Sequence, residues 1–298
     1  MVKKNQTVVT EFLLVGFGDL HDIKLLLFVL LLGIYILALT GNSIVIILVM
    51  VSKHLHSPIN IQPNMLWLTL VGGGKISISR CFFHFYLLAV CGITQCLLLI
   101  AMSFDRYVAI CKPLHYNVIM TFGLQLQIVA SCWSFGFTLS LVLYLFLYRL
   151  EFSGPHTIND FYCDVAPVLE LSCSDISSVK LATSMVSTPL IVCPFVFIIS
   201  TYIFIFHTIM KISSSIRRQK AFSTCSSHLT VVCLYFGSLG SIYIFSPKSS
   251  SSNTNKYQSL IYILVTPFFN PLIYSLRNQD IRGAITKYIH ILGSCYPE

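Results

Sequence analysis

Residues 102–116 read MSFDRYVAICKPLHY, and an acidic and a basic residue, Asp105 and Arg106, stand side by side within them. The preceding segment, Phe82–Phe104, is mostly apolar and long enough to cross a membrane. Charged side chains at a membrane helix are costly and are usually paired or functional. Two interpretations follow: a functional charge pair at the inner end of a helix, or two charges that merely lie at the water interface.

The composition around this stretch is that of a membrane protein. Of 298 residues, 55% are hydrophobic and 10% are charged, whereas a soluble domain carries about 25% charged residues. So few charges could not cover the surface of a soluble body, which argues against a soluble enzyme. The net charge of +8 comes from basic residues scattered between apolar runs. This pattern favours membrane-flanking charge over nucleic-acid binding.

Six segments contain the roughly 20 apolar residues that a transmembrane helix needs. They are Leu25–Met50, Phe82–Phe104, Leu124–Tyr148, Leu181–Met210, Leu229–Phe245 and Tyr257–Leu276. They predict one all-α integral membrane domain with a tail (1–24), a helical bundle (25–276) and a second tail (277–298). The basic cluster at 211–220 indicates an inner loop, so the N-terminus is expected outside the cell. Asn5, which begins a glycosylation triplet, agrees with this orientation.

Residues 102–116 resemble the M-A-Y-D-R-Y-V-A-I-C signature of olfactory receptors, a branch of the rhodopsin-like G-protein-coupled receptors. Four further motifs resemble the family in the same order: Gly41-Asn42, LHSP at 55–58, KAFSTCSSHL at 220–229 and PFFNPLIYSLRN at 267–278. The resemblance implies a seven-helix bundle in the plasma membrane that binds small volatile molecules. It also implies activation of a stimulatory, olfactory-type heterotrimeric G protein, which raises cAMP. Membrane lipid is an expected partner; nucleic acid, cofactor, metal and enzymatic activity are not expected.

The resemblance also implies roles for particular residues. Those expected in G-protein coupling and switching are Asp105, Arg106, Tyr107, Tyr202, His228, Asn270, Pro271 and Tyr274. Helical spacing from Arg106, together with facing positions on later spans, predicts the ligand contacts Leu88, Ala89, Gly92, Ile93, Cys96, Val186, Ser187, Leu190, Leu239, Tyr243, Leu260 and Ile263. Ordinary helix packing is the other interpretation of each contact. The family pattern pairs Cys81 with Cys173 in a disulfide and leaves Cys163 without a partner.

The second span departs from the family pattern. After Pro58 the chain is about 16 residues short of that pattern, and a crossing helix needs about 20. We expect a short helix over Met65–Val71 and a truncated or defective second span; without a crossing, Cys81 would start on the inner side. The hypothesis is an internal deletion that impairs signalling. Near the C-terminus, the bases and apolar residues of Arg282–Ile291 predict a short amphipathic helix on the inner surface.

Two other classes of function are weighed against a receptor. A transporter or channel would carry charged residues or broken helices within its spans, and the clear spans have almost no charges away from their ends. A membrane enzyme would be indicated by a motif such as H-E-x-x-H or G-x-S-x-G, and neither string occurs. A small multi-span transporter or channel stays the alternative.

Overall fold

The computed structural model describes residues 10–15, 25–26, 28–33, 35–36, 74–153, 156–160 and 162–243, except for the side chains at 220, 224, 227 and 241–243. Helical backbone runs through the described part of 25–36. The later helices are α1 (Ile78–Cys111), α2 (Tyr116–Ile119), α3 (Phe122–Tyr148), α4 (Val165–Glu170), α5 (Ser177–Met210) and α6 (Ser215–Tyr243).

Within these ranges, α1, α3 and α5 are long and apolar enough to cross a membrane. They contain three of the predicted spans and begin a few residues earlier, because the capping residues precede the apolar run. The Ser77 side chain accepts a hydrogen bond from the backbone N–H of Arg80 at the start of α1, and Thr121 does the same for Leu124 in α3.

The predicted start of the sixth span, at Leu229, is not where the helix begins. Helix α6 begins at Ser215 and runs through a polar, basic segment before it becomes apolar. A helix can continue from lipid into water because its backbone hydrogen bonds are internal, whereas apolarity marks only the portion that lipid surrounds. The hydrophobic pattern therefore located the membrane portion of α6 and missed its extension.

The outward faces of α3 and α5 are suited to lipid. Large apolar side chains such as Phe135, Leu145 and Phe204 are exposed there. The hydroxyl groups on these faces donate to carbonyls of their own helix, as Thr138 does to Ser134 over 2.8 Å and Ser200 does to Val196 over 2.7 Å. Since lipid offers no hydrogen bonds, this pairing allows polar residues to remain in an apolar setting.

A small sheet covers one end of the bundle. Its strands are β1 (Glu11–Leu14), β2 (Gly74–Ser77) and β3 (Thr157–Ile158), in the order β2-β1-β3 among the described residues. Strand β1 is antiparallel to β2 and parallel to β3, and Phe12 is completely buried beneath the sheet. The sequence predicted only a polar tail here, because four residues are too few for a periodicity to stand out.

The sheet brings the N-terminal tail, the start of α1 and the loop between α3 and α5 to one end of the bundle. Leu14 stands opposite Gly74, and α1 follows directly from β2. Cys81, near the start of α1, therefore lies at the same end of the bundle as the strand of the tail. The predicted helix over Met65–Val71, the altered second span, the seventh span and the C-terminal amphipathic helix lie outside the described residues.

Helices α1 and α3 approach closely at Gly136. A Cβ atom added to this glycine would overlap with the Thr94 hydroxyl and lie 3.2 Å from the Val90 carbonyl oxygen. One turn further along α3, Ser140 is completely buried. Small residues allow helix backbones to come together in lipid, where packing replaces the hydrophobic effect as the driving force.

Candidate ligand-binding cavity and signalling end

A cavity of about 130 Å³ lies between α1, α3, α5 and α6, beneath the loop that joins α3 to α5. Nine predicted ligand contacts line it: Leu88, Ala89, Gly92, Ile93, Cys96, Val186, Ser187, Leu190 and Leu239. Side chains that helical spacing predicted on three helices thus meet around one space. The predicted contacts Leu260 and Ile263, and the side chain of Tyr243, lie outside what the structure describes.

Eight lining residues were missed by the sequence analysis: Phe85, Leu143, Tyr162, Asp164, Val165, Thr183, Ile191 and Tyr235. Four of them lie four residues along a helix from a predicted contact, so extending each predicted face by one turn would have found them. These are Phe85, Thr183, Ile191 and Tyr235. Tyr162, Asp164 and Val165 belong to the loop and to α4, and no helical spacing in the sequence points to them.

Cys96 links α1 to a weakened point of α5. Pro194 lies inside α5 and has no N–H, so the carbonyl of Leu190, four residues earlier, loses its helical partner. The Cys96 thiol donates to that carbonyl, with a sulfur–oxygen distance of 3.0 Å. This contact satisfies a polar group that lipid could not. It also holds two cavity-lining residues in a defined position.

Tyr235 links α6 to α1 at the inner end of the cavity. Its hydroxyl donates to the carbonyl oxygen of Gly92 over 2.7 Å, and the side chain is almost fully buried. Beneath it, Leu99, Ile198 and Val231 belong to a buried apolar cluster that also contains the lining residues Cys96 and Leu239. The cavity wall and the interior of the bundle therefore share side chains.

The disulfide joins Cys81 to Cys163, with a Cα–Cα distance of 5.5 Å, and both residues are completely buried. The expected pairing of Cys81 with Cys173 is therefore wrong in this structure. Cys173 is an exposed free thiol that contacts Ser153 through its sulfur, and its backbone N–H donates to the Glu151 carbonyl. Those contacts hold Cys173 along the loop that leaves α3.

This pairing positions the loop over the cavity. The residues on either side of Cys163, Tyr162 and Asp164, both line the cavity and are nearly fully buried. The Asp164 carboxylate caps α4 by accepting a hydrogen bond from the Val165 N–H over 2.7 Å. The disulfide thus brings two polar side chains to the outer end of a space whose remaining walls are mostly apolar.

At the opposite end of α1, the Asp105 carboxylate makes an ion pair and accepts a hydrogen bond. The Arg106 Nε lies 3.6 Å from its Oδ2, and the Tyr116 hydroxyl donates to its Oδ1 over 2.9 Å. Burial, and then the hydrogen bond to Asp105, raise the pKa of Tyr116 above its ordinary value, so the phenol remains a donor at neutral pH. Asp105 and Arg106 are therefore in contact with each other, and both side chains are partly exposed.

Two further predicted switch residues lie together between α5 and α6. The Tyr202 hydroxyl is 2.8 Å from His228 Nδ1, and the two rings are stacked with centroids 5.8 Å apart. Tyr107 of α1 contacts Phe204 of α5 edge to face. Tyr202 packs against both the cluster beneath the cavity and a second cluster around Ile205 and Cys225. Asn270, Pro271 and Tyr274 lie outside the described residues.

Comparison with known proteins identifies the family. The sequence profile of the family described as olfactory receptor matches residues 31–291. The chain belongs to the olfactory receptor family. It is 38% identical to human olfactory receptor 6Q1 over 302 residues, covering 95% of each chain. It is 41% identical to mouse olfactory receptor 5P73 over 302 residues, covering 96% of this chain and 91% of the relative.

The rhodopsin-like fold is found independently in a solved structure. Squid rhodopsin resembles this olfactory receptor with a TM-score of 0.62, at 16% identity, over 91% of this chain and 82% of that chain. An olfactory receptor is a G-protein-coupled receptor that crosses the plasma membrane several times. It binds small-molecule odorants and G proteins. It is a signalling receptor and not an enzyme, and nothing here favours the transporter or channel alternative.

Proposed function

We propose that the odorant binds in the cavity between α1, α5 and α6, and that binding activates a stimulatory, olfactory-type G protein and raises cAMP. The observation that carries this proposal is the convergence of nine sequence-predicted contacts on one cavity. Most of the lining is apolar and a few polar groups lie at the outer end, which is the usual composition of a small-molecule site.

The route from the cavity to the G-protein end runs through packed side chains. Tyr235 and Leu239 line the cavity and belong to the cluster beneath it. Tyr202 joins that cluster to the next one and contacts His228 of α6. A ligand that displaces Tyr235 from the Gly92 carbonyl would shift α6 against α1, since closely packed side chains have few alternative arrangements. That shift would reach Arg106, the residue that we propose contacts the G protein.

A cavity-filling substitution tests the binding site. Ser187→Phe places a phenyl ring in a cavity of about 130 Å³, so we expect the odorant-evoked cAMP response to fall at least tenfold in potency. The matched control is Ser200→Phe, on the exposed face of the same helix. Surface level, measured with an N-terminal epitope tag, should be similar for both. Equal potency of the two variants would contradict the proposed site.

Tyr116→Phe tests the signalling end. Removing the hydroxyl leaves Asp105 in contact with Arg106 but without the hydrogen bond from Tyr116, so the pair separates more easily. Basal cAMP should rise about two- to fivefold, a modest change because the pair is partly exposed. The control is Tyr148→Phe, an exposed tyrosine at the other end of α3. Unchanged basal cAMP at matched surface level would show that Tyr116 does not restrain Asp105.

We propose the following orientation and domain division. The sheet end, with the N-terminal tail, faces outward, so that Asn5 is available for glycosylation and the disulfide lies in an oxidising compartment. The 1–24 tail, the bundle of 25–276 and the inner 277–298 tail form one receptor domain surrounded by membrane lipid, without nucleic-acid partners. The basic residues Lys211, Arg217 and Arg218, between α5 and the apolar part of α6, support an inner position for that end.

We further infer that the internal deletion weakens signalling. The match to the human relative spans 302 residues although 95% of this chain is about 283, so about 19 aligned positions have no residue here. This gap agrees in size with the shortfall after Pro58. In the cAMP assay, a chain with the second span restored from that relative should respond more strongly at equal surface level. A full response from the unaltered chain would refute the impairment.

A further inference from the structure

Two hydroxyl groups on one wall of the cavity make no hydrogen bond within the described part of the chain. They belong to Thr183 and Ser187, which line the cavity from α5 about one helical turn apart and are both partly buried. Further along the same helix, the Ser200 and Thr208 hydroxyls donate to carbonyls of the helix itself. A donor that faces an apolar space without an acceptor costs free energy, so a ligand that supplies an acceptor gains affinity.

The other helical donors that line the cavity are already paired. The Cys96 thiol and the Tyr235 hydroxyl each donate to a backbone carbonyl, over 3.0 Å and 2.7 Å. The polar residues that line it from the loop, Tyr162 and Asp164, also have interactions within the protein. The two α5 hydroxyls are therefore the donors that a ligand engages without breaking an existing contact.

We propose that the preferred ligand of this cavity is a small aliphatic ketone or aldehyde whose carbonyl oxygen accepts a hydrogen bond from both Thr183 and Ser187. This inference rests on the proposed function, because it concerns the same cavity. Side chains four residues apart on a helix have Cβ atoms about 5–6 Å apart. An oxygen midway between two hydroxyls at that spacing lies about 2.5–3.0 Å from each, which is the ordinary O–H···O distance.

The count of donors favours a carbonyl group over related groups. A carbonyl oxygen has two lone pairs and carries no proton, so one atom satisfies both hydroxyls. An alcohol oxygen also accepts, but it brings a third O–H group that needs an acceptor of its own. A hydrocarbon supplies no acceptor and leaves both hydroxyls unpaired.

The cavity also limits the size of the ligand. A protein cavity of about 150 Å³ holds benzene, and this one has a volume of about 130 Å³. The ligand should therefore have about six non-hydrogen atoms in the space as the structure has it. The apolar side chains of Ile93, Leu190 and Leu239 line the same cavity and suit an alkyl chain.

Three probes of matched size and shape separate the ligand classes: pentan-2-one, pentan-2-ol and 2-methylpentane. Each would be titrated against the purified chain in lipid nanodiscs, and binding read from the rise in melting temperature. We expect pentan-2-one to bind about 5- to 100-fold more tightly than 2-methylpentane, because it makes two additional hydrogen bonds. It should bind about threefold more tightly than pentan-2-ol, whose extra donor stays poorly paired.

Thr183→Val and Ser187→Ala are the diagnostic variants, because each removes a hydroxyl with little change in shape. Each should lower the affinity for pentan-2-one about 2- to 10-fold, and the double variant should bind the ketone and the hydrocarbon alike. The matched controls are Thr188→Val and Ser184→Ala, exposed residues of the same helix that do not line the cavity. These controls should retain the preference for the ketone. Comparing variants with one probe cancels the partition of that probe into lipid.

The outcomes distinguish the ligand class from the site. Equal binding of the three probes, tighter binding of the alcohol, or a ketone preference that survives the double variant would overturn the ligand class while leaving the cavity as the odorant site. Binding of pentan-2-one that Ser187→Phe does not reduce would overturn the proposed site itself. Because the probe series on the unaltered chain needs no substitution, the proposal stays testable even if a variant fails to fold.

Discussion

Cys163→Ser should nearly abolish surface display of this receptor, whereas Cys173→Ser should leave it close to normal. The disulfide joins residues that are 82 positions apart. Closing a loop of that size stabilises a fold by about 4 kcal/mol in the chain-entropy account, which is a large part of the 5–15 kcal/mol that holds a typical domain together. Cys81→Ser should have the same effect, because it breaks the same bond.

The two cysteines form a matched pair for this test, since both lie in the loop between α3 and α5. Cys163 is completely buried in the disulfide, whereas Cys173 is exposed and contacts Ser153. Surface level is measured by flow cytometry with an N-terminal tag, and peptide mapping without reduction identifies the bonded partner. Recovery of a Cys81–Cys173 peptide, with Cys163→Ser displayed normally, would show that the pairing follows the family pattern after all.

Gly136→Ala should destabilise the bundle, although alanine is the better helix former. In a helix free of contacts this change would stabilise by up to about 1 kcal/mol. At this position the new Cβ overlaps with the Thr94 hydroxyl and comes within 3.2 Å of the Val90 carbonyl. Overpacking of this kind costs about 1–3 kcal/mol, so we expect the melting temperature of the purified receptor to fall by about 2 to 10 °C.

Two further variants separate the close contact from the loss of glycine itself. Gly123→Ala lies on the same helix with no atom within 4 Å of the added Cβ, so its melting temperature should stay level or rise slightly. Thr94→Ala removes the overlapping hydroxyl, and the Thr94 Cβ would then lie 3.6 Å from the new methyl, an ordinary contact. Combined with Gly136→Ala, it should therefore restore part of the lost stability. Equal effects of Gly123→Ala and Gly136→Ala would contradict this account of the interface.

The sequence located the cavity well on the helices and poorly in the loop. Along α1, Leu88, Ala89 and Gly92 follow from counting helical turns back from Arg106, because a helix repeats its faces regularly. The residues that line the cavity together with them, such as Tyr235, are a single turn from a predicted contact. Asp164, which lines the cavity from the loop, follows from no such rule, since a loop is positioned by its long-range bonds and not by a helical period.

The sequence alone determined that this chain is an apolar helical membrane protein, that it resembles olfactory receptors, and where three of its long helices cross. These properties depend on local composition, on periodicity and on motifs such as that around Asp105. Only the tertiary structure determined that Cys81 bonds Cys163, that the tail forms a strand against β2, and that Tyr116 contacts Asp105. Each of these contacts joins residues that lie far apart in the sequence or, for Tyr116 and Asp105, on either side of the end of a helix. The energy that selects such contacts comes from packing and desolvation, and no local sequence pattern encodes it.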